Sequence, residues 1–425
     1  MANISNLESS VTVYSRNFPD CFESAYNSFL FSKDGKKYLD FFSGAGALNY
    51  GHNNSYIKNI MMEYLSSNGI MHALDMNTVA RNEFMAKIDE VILKPRKMDY
   101  KIMFCGATGT NAVEAALKLS RKVTGRSTIF AFSGSFHGVT LGSLAVTSSI
   151  KKRAGAGTPL ANTIFFPYPD DKSDIDTIKL IKSVLNDDHS GIECPAAIII
   201  ENIQAEGGVN SIDKRTFNEL VQICNDFGIL LICDEIQIGC GRTGEFFSFD
   251  SYGNYPDIVV LSKSISGIGL PMALLLYKSE LDIWEVGEHN GTFRGNQLGF
   301  VCGSAALDFY SKFNLLPRVV EKEKKLIAFV EENIISKHPL LELRGRGLIF
   351  GIDFSNIQLS DDSELSLAEM VRNECFRNKL ILECCGRKNQ VLKILPPLTI
   401  EEEELNSGLQ IICKSIQKCL EVQYV

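Results

Sequence analysis

The chain has 425 residues, of which 45% are hydrophobic and 22% charged, so it is long and apolar enough for a globular fold with a large core. Its 43 Lys and Arg stand against 51 Asp and Glu, a formal net charge of -8, and this acidic balance argues against nucleic acid or an anionic membrane as a partner. The twelve cysteines form no C-x-x-C pair. The start does not resemble a signal peptide, and no stretch approaches the ~20 apolar residues of a membrane span. We therefore expect a cytoplasmic protein that binds small molecules.

The first recognisable element is the segment 29–41, in which apolar and polar residues surround Asp34-Gly35 and predict a β-hairpin. From 101 to 278, short β-branched runs alternate with helical stretches, which is typical of a mostly parallel sheet covered on both faces. The predicted strands of this sheet are 101–105, 128–132, 196–200, 229–233, 258–261 and 272–277. After Tyr310 the pattern predicts a charged helix, a strand at 345–354 and two helices that flank 391–397.

These elements predict an α/β fold, with a large domain built on the mostly parallel sheet and a smaller α+β domain formed by both termini. We assign residues 1–54 and 311–425 to the small domain and residues 55–310 to the large domain. The chain shows no internal repeat and no low-complexity tract, so a solenoid or a disordered linker is not expected.

Polar or glycine-rich segments follow the ends of predicted strands, at 106–111, 135–138, 201–204, 234–237 and 262–263. In an open α/β sheet, ligands bind beyond the carboxyl ends of the parallel strands. Two of these segments carry Asp234 and Lys263. A carboxylate keeps a pyridine nitrogen protonated and a lysine amine holds an aldehyde as a Schiff base, so this pair indicates a pyridoxal phosphate site.

Two further segments at this edge suit a phosphorylated, planar ligand. Thr108-Gly109-Thr110-Asn111 precedes a strong helical pattern, and a helix N-terminus with a glycine offers N–H groups to a phosphate, although an ordinary capped helix has the same pattern. Phe136 is either a stacking partner for the ligand or a core residue. No other histidine stands at metal-ligand spacing from His137, so we expect an orienting or packing residue and no metal.

The run 239–244 matches G-x-G-x-x-G, which raises an NAD-linked dehydrogenase as an alternative. The run does not leave a strand directly, and aromatic residues at 246–249 follow it in place of a helix. No clear ribose-binding acid stands about 20 residues further on. We therefore interpret this run as a flexible active-site loop.

With these residues the chain resembles the class III, fold-type I pyridoxal-phosphate aminotransferases over nearly its whole length. It is most similar to the diaminobutyrate-2-oxoglutarate aminotransferases of ectoine biosynthesis. The runs that carry this resemblance are 42–52, 108–126, 152–157, 261–270 and 287–296. The resemblance implies a PLP-dependent transferase fold of type I and pyridoxal 5′-phosphate as the cofactor.

The resemblance implies a division of roles around the cofactor ring. Lys263 would hold the cofactor aldehyde and then move the substrate proton. Asp234 would pair with the pyridine nitrogen, and Gln237 would lie near the phenolate oxygen. Phe136 would stack on the ring.

The resemblance also implies a phosphate site shared between two subunits. Gly109 and Thr110 would bind the phosphate within one subunit. Thr292 matches the family threonine that reaches the same phosphate from a second subunit. The active unit would then be a homodimer or a higher homo-oligomer with shared active sites.

Glu206 matches a family glutamate that pairs with a basic residue and releases it for an incoming α-carboxylate. That base is usually arginine, and this chain has Lys393 at the matching place, a cation without the bidentate fork. Arg387 and Lys388 are rival carboxylate anchors, and an ordinary surface lysine is the other interpretation of Lys393.

Ornithine-specific relatives hold the α-carboxylate with a tyrosine and an arginine at places where this chain has Phe29 and Val139. This difference disfavours ornithine as the substrate. Another basic residue must then orient diaminobutyrate, and Arg16 is the candidate.

The function implied by the resemblance is reversible transfer of an amino group between L-glutamate/2-oxoglutarate and aspartate 4-semialdehyde/L-2,4-diaminobutyrate, so the expected partners are amino acids and oxo acids. The nearest alternative is another class III ω-aminotransferase that takes ornithine, 4-aminobutyrate or a related terminal amine. A non-enzymatic alternative is a cofactor-binding regulator, which no appended DNA-binding segment or basic patch supports.

Overall fold

The structure is a computed structural model that describes residues 7–170, 174–358 and 364–421. Within these ranges the strands β1 to β17 are, in chain order, Phe22–Tyr26, Phe29–Ser32, Lys37–Asp40, Tyr100–Phe104, Ile129–Phe132, Thr163–Phe166, Ala197–Ile200, Ile203–Gln204, Asn210–Ser211, Leu230–Asp234, Ile258–Leu261, Leu274–Lys278, Glu342–Arg346, Ile349–Asp353, Leu380–Ile381, Glu383–Cys385 and Val391–Ile394.

The α-helices α1 to α14 are, in chain order, Tyr14–Asn17, Ser43–Gly46, Ser55–Ser66, Val79–Ile88, Lys94–Arg96, Gly109–Thr124, Leu141–Ala145, Ile150–Arg153, Thr177–Asn186, Lys214–Phe227, Gln297–Lys312, Leu315–Val330, Leu367–Arg377 and Glu402–Glu421. Single turns of π-helix at Asp89–Leu93 and Glu331–Ile335 extend α4 and α12. Short 3-10 turns lie at Asp250–Tyr252, Lys263–Ser266, Ser279–Leu281 and Arg387–Asn389.

The largest sheet has seven strands in the order β4-β12-β11-β10-β7-β5-β6. Its strands are parallel except β12, which pairs antiparallel with both β11 and β4. The six predicted strands are confirmed to within two residues at each end, and so is the α/β fold class. The prediction missed β6, a partly buried edge strand.

Burial on both faces explains why these strands are continuously apolar. In β11, Ile258 and Val260 pack in the cluster that contains the apolar side of α6. Val259 and Leu261 point the other way and share a cluster with Phe217 of α10. The two helices therefore cover opposite faces of the sheet, which leaves the carboxyl ends of its parallel strands free to form a site.

The two ends of the chain share a smaller sheet. The predicted hairpin is present as β2 and β3, with Gly35 of its turn at a φ of +76°. β15, from far along the chain, pairs in parallel with β3 through Leu380 and Ile381. The two helices predicted to flank 391–397 are present as α13 and α14.

The single strand predicted at 345–354 is wrong. β13 and β14 form an antiparallel hairpin, and only β14 falls within the predicted strand. The turn between them passes through Gly347, which has a φ of +64°. A continuous strand cannot contain that left-handed residue, so the apolar run after it belongs to the second strand alone.

The glycine-rich run 239–244 is a loop, and no α-helix follows it directly. A dinucleotide-binding motif would lead into a helix at this place. The run is not the flexible loop we expected, because the segment is buried. Arg242 has no exposed surface and donates to Leu348 O at 2.9 Å, to Asn49 Oδ1 at 2.6 Å and to Pro396 O. The loop thus ties the large sheet to segments from both chain ends.

Among the described residues, no helix has both the length and the apolar character needed to cross a lipid bilayer. The longest helix, α14, has 20 residues and carries three acidic residues in its first turn.

Replacing Arg242 with Met should lower the free energy of unfolding by about 3 kcal/mol, because the buried acceptors of Arg242 lose their donor. Arg215→Met, which removes an exposed arginine on α10, is the control and should stay within ~0.5 kcal/mol of wild type. Urea unfolding followed by circular dichroism measures both. Equal stability of the two variants would contradict the connecting role of Arg242.

Candidate active site

A cleft of about 250 Å³ lies at the carboxyl edge of the large sheet. Its lining comes from the segments that follow β4, β5, β7, β10 and β11, so the predicted convergence of these loops is present. The predicted site residues that line this cleft are Gly109, Thr110, Phe136, Glu206, Asp234, Gln237 and Lys263.

Lys263 is the first residue of a 3-10 turn directly after β11. Its φ is +50°, a left-handed conformation that costs a non-glycine residue of order 1 kcal/mol and often marks functional sites. Ser264 fixes the turn by donating to Gly46 O at 2.7 Å. Burial lowers the pKa of the Lys263 amine to about 8, so near neutral pH a larger share of this amine than of an ordinary lysine is unprotonated and can act as a nucleophile or base.

Asp234 ends β10 and is buried. Its Oδ2 lies 2.8 Å from Nδ1 of His137, and its Oδ1 accepts from the Ile236 N–H at 3.0 Å. His137 is itself buried, and its contact with the Asp234 carboxylate agrees with the prediction of an orienting or packing residue. This pairing fixes the orientation of the carboxylate toward the cleft.

The N-terminus of α6 forms another wall of the cleft. Asn111 Oδ1 accepts from the Thr108 N–H at 3.1 Å and from its hydroxyl at 2.9 Å, which caps the helix. A Cβ added to Gly109 would lie 2.8 Å from Cδ1 of Ile236. Glycine leaves room for Ile236 here, and the first N–H groups of this 16-residue helix face the cleft, where an anion can bind.

The hydroxyl of Thr110 belongs to a polar network behind this helix end. It lies 2.7 Å from the hydroxyl of Thr140 and 2.5 Å from that of Ser143. Glu114 accepts from Thr140 at 2.6 Å. The sequence interpretation did not identify Thr140 and Ser143, because their segment carries no motif of its own.

Apolar side chains of Phe136, Ile236 and Ile238 form the flanking walls. The N–H of Phe136 donates to Oε2 of Glu201 at 3.0 Å, which holds this loop at the cleft. Burial raises the pKa of the Glu201 carboxyl well above its usual range. The slot between these walls suits a planar aromatic ligand.

Gln237 connects the cleft with the N-terminal segment. Its Nε2 donates to Ala45 O at 2.7 Å, which fixes the orientation of the amide. Its Oε1 is buried without a hydrogen-bond partner among the described residues. A buried acceptor without a donor costs free energy, so this atom indicates a ligand group that donates to it.

Lys393 is buried behind Glu206, with 0% of its side chain exposed. Its Nζ lies 2.6 Å from Glu206 and 2.7 Å from Glu383. These contacts exclude the interpretation of Lys393 as an ordinary surface lysine. The Lys393 ammonium lowers the pKa of Glu206 to about 2, while burial raises the pKa of Glu383.

Glu383 was missed by the sequence interpretation. The available signal was an acid within the apolar run that surrounds Cys384 and Cys385. Its role depends on the register of β16 and β17, in which Glu383 lies directly opposite Lys393.

The remaining predicted residues lie elsewhere. Thr292 is exposed, away from the cleft, and its carbonyl contacts His72 at 3.0 Å. Arg387 and Lys388 are exposed on a 3-10 turn, whereas Lys393 contacts the cleft residue Glu206. Arg16 is also exposed and donates to Ser10 O at 3.1 Å.

Val139 and Phe29, the two positions at which this chain differs from ornithine-specific relatives, lie in different parts of the structure. Val139 lines the cleft, with 59% of its surface exposed. Phe29 lies on β2, where the ammonium of Lys37 is 3.5 Å from the centre of its ring. Neither side chain supplies a cation to the cleft.

The donor set fits pyridoxal 5′-phosphate. Asp234 is a carboxylate for a pyridine nitrogen, Lys263 an amine for an aldehyde, and the N-terminus of α6 an anion site. Gln237 is an amide at the cleft that can hydrogen-bond to the ring oxygen. These groups surround one slot with apolar walls, so the residues present match each chemical part of the cofactor.

Comparison with known proteins agrees with this geometry. The family model of class III aminotransferases matches residues 11–416. A diaminobutyrate--2-oxoglutarate transaminase of Oceanobacillus iheyensis is 47% identical over 423 residues, which cover 99% of this chain and 97% of that protein. An uncharacterized aminotransferase of Sinorhizobium fredii is 48% identical and covers 97% of this chain and 91% of its own length.

Solved structures share the fold. A Bacillus anthracis aminotransferase superimposes with a TM-score of 0.85 at 24% identity, covering 97% of this chain and 96% of its own. A taurine:2-oxoglutarate aminotransferase of Bifidobacterium kashiwanohense, solved with PLP and glutamate, has a TM-score of 0.83 at 23% identity and covers 95% and 94% of the two chains. The predicted type I fold is thereby confirmed.

Replacing Gly109 with Ala should weaken binding of pyridoxal 5′-phosphate to the apoprotein by about tenfold, because the added Cβ displaces Ile236 or the helix end. The control is Gly155→Ala, where a Cβ meets no atom within 4 Å. Fluorescence titration of the apoprotein measures both dissociation constants. Unchanged affinity in Gly109→Ala would show that the phosphate does not bind at this helix end.

Proposed function

The chain belongs to the class III aminotransferase family, and on that premise we propose that it transfers an amino group from L-glutamate to aspartate 4-semialdehyde, giving 2-oxoglutarate and L-2,4-diaminobutyrate, reversibly. These substrates are supported by relatives named diaminobutyrate--2-oxoglutarate transaminase, which are 47% identical over nearly the full length. The observation that carries it is the cleft in which Lys263, Asp234 and the Glu206–Lys393 pair meet one slot.

The cofactor is pyridoxal 5′-phosphate, which when bound supplies an electron sink for the carbon that loses a proton and carries the amino group between the two substrates. Asp234 would accept a hydrogen bond from the ring nitrogen and so keep that nitrogen protonated and the ring electron-poor. His137 fixes this carboxylate at 2.8 Å. The N-terminus of α6 would bind the phosphate and neutralise part of its charge.

Lys263 performs the proton transfers. Its Nζ would hold the aldehyde of the cofactor and would be a free amine once a substrate amine replaced it. Burial lowers the pKa of this amine to about 8, so it can accept the proton from the substrate carbon and return it to the neighbouring position. The turn that begins at Lys263 keeps Nζ at the cleft during both steps.

Glu206 and Lys393 bind the two unlike substrates in turn. With Glu206 in place, the Lys393 ammonium is covered and the cleft presents a carboxylate to a diamine. When glutamate enters, its α-carboxylate takes the contact with Lys393 and Glu206 turns away. Of the two partners, Glu206 is the accessible one, since 33% of its side chain is exposed.

We further propose a homodimer or higher homo-oligomer, in which Thr292 of one subunit reaches the phosphate site of the other. Its exposed position away from its own cleft supports this. The apolar side chains of Met71, Met76 and Phe293 are more than half exposed nearby, as expected for a surface that a second subunit covers.

For the domains we keep the division into 1–54, 55–310 and 311–425 as a proposal, supported by the pairing of β3 with β15. A reducing cytoplasmic location is supported by the twelve free cysteines, seven of which are buried.

The test of the function is an absorbance titration of the purified holoenzyme. Glutamate and L-2,4-diaminobutyrate should each bleach the visible band of the bound cofactor, while ornithine and 4-aminobutyrate should do so much more weakly. Lys263→Ala should lose both the band and turnover, because no other lysine lines the cleft among the residues that the structure describes. Bleaching by ornithine or 4-aminobutyrate in place of diaminobutyrate would keep the family and change the substrate.

Lys393→Met should raise the KM for glutamate by at least tenfold and affect the diaminobutyrate half-reaction much less, because only glutamate needs a cation at this place. Single-turnover kinetics with each amino donor measure the two half-reactions separately. Lys388→Met, an exposed lysine on the preceding turn, is the control and should match wild type. Equal losses in the two half-reactions would remove Lys393 as the selective anchor.

A further inference from the structure

The ammonium of Lys393 has two carboxylate partners that differ in accessibility. Glu206 lies between β8 and β9, lines the cleft and has 33% of its side chain exposed. Glu383 lies on β16, directly opposite Lys393, and has 8% of its side chain exposed. Glu206 can therefore turn away while Glu383 stays in place.

The position of Glu383 is fixed from two sides. Its own strand pairs with β17 through Glu383, Cys384 and Cys385. Its carboxylate also lies 2.7 Å from the ammonium of Lys393, whose side chain is fully buried. Glu383 thus remains a partner of Lys393 whichever substrate occupies the cleft.

A second, permanent carboxylate changes the charge of the anchor. One ammonium shared by two carboxylates leaves the group net negative when both are ionised, and the raised pKa of Glu383 means that this charge develops at higher pH than that of Glu206. With a single carboxylate partner, as in the usual arginine–glutamate pair, the group would be neutral. A net negative anchor opposes the entry of a further carboxylate and favours a cation, and in a partly desolvated cleft this effect is stronger than in water.

The two proposed amino donors, glutamate and diaminobutyrate, differ in the charges that they bring near this anchor. Glutamate reacts at its α-amine, so its remaining charges near the site are carboxylates. Diaminobutyrate reacts at its terminal amine and keeps an α-ammonium beside its carboxylate. An anionic anchor therefore attracts the second substrate and opposes the first.

We propose that Glu383 is a specificity-determining residue, which acts through Lys393 to make the anchor anionic and so favours the diamine over dicarboxylates. This proposal rests on the transamination proposed above. A purely structural role for Glu383 predicts a different result, because a loosened Lys393 would weaken the binding of both substrates together.

The test is Glu383→Gln, which keeps the shape and an acceptor for Lys393 but removes the charge. In the holoenzyme, binding of glutarate, a dicarboxylate without an amine, should tighten by about three- to tenfold in isothermal titration calorimetry. The KM for diaminobutyrate should rise by a similar factor. Glu383→Asp keeps the charge and should retain the wild-type ratio of the two values.

Glu374→Gln is the matched control. Glu374 is also buried and also lies 2.7 Å from a lysine ammonium, that of Lys418, but it is on α13 and does not line the cleft. This variant should leave both values unchanged. If Glu383→Gln does not fold, Glu383→Met, which fills a similar volume without charge, should give the same opposite shifts.

Parallel weakening of both ligands in Glu383→Gln, or no change in either, would overturn the proposal. A wild-type enzyme that bleaches with glutamate but does not accept diaminobutyrate would instead overturn the proposed substrate. In that case the glutarate titration alone still decides whether Glu383 opposes a second carboxylate, so the two failures are distinguishable.

Discussion

Burial of ionisable groups at one edge of the large sheet is the constraint on which the rest of this structure depends. The amines of Lys263 and Lys393 are largely removed from water, and the carboxylates of Glu206 and Asp234 lie at the same edge of the sheet. Each charge removed from water needs a partner, since an unpaired buried charge costs several kcal/mol. The fold meets this need by bringing opposite charges together from strands that are distant in sequence.

Those partners stay in place because the N-terminal segment is fixed to the sheet edge. Ser264 and Gln237 each contact backbone carbonyls of the segment 43–49. Arg242 reaches the same segment through Asn49. Residues from both ends of the chain therefore support the cleft from behind, and its shape depends on hydrogen bonds that no local pattern encodes.

The sequence predicted the part of the site that is local. Asp234 and Lys263 each end a short apolar strand, so their position at the carboxyl edge followed from strand direction alone. Glu383 required knowledge of which residue lies opposite Lys393 in an antiparallel pair. In the same way, the hairpin of β13 and β14 depends on the left-handed conformation of Gly347. The apolar run around this residue does not reveal that conformation.

The pairing of β3 with β15 has a consequence for how the polypeptide is made. Residue 380 leaves the ribosome long after residue 39, so the edge of β3 lacks its neighbour for most of synthesis. Contacts of such high sequence separation also slow folding, because the loop between them must first be closed. An unpaired strand edge on a nascent chain invites aggregation, so the edge of β3 is open to mispairing until β15 has been made.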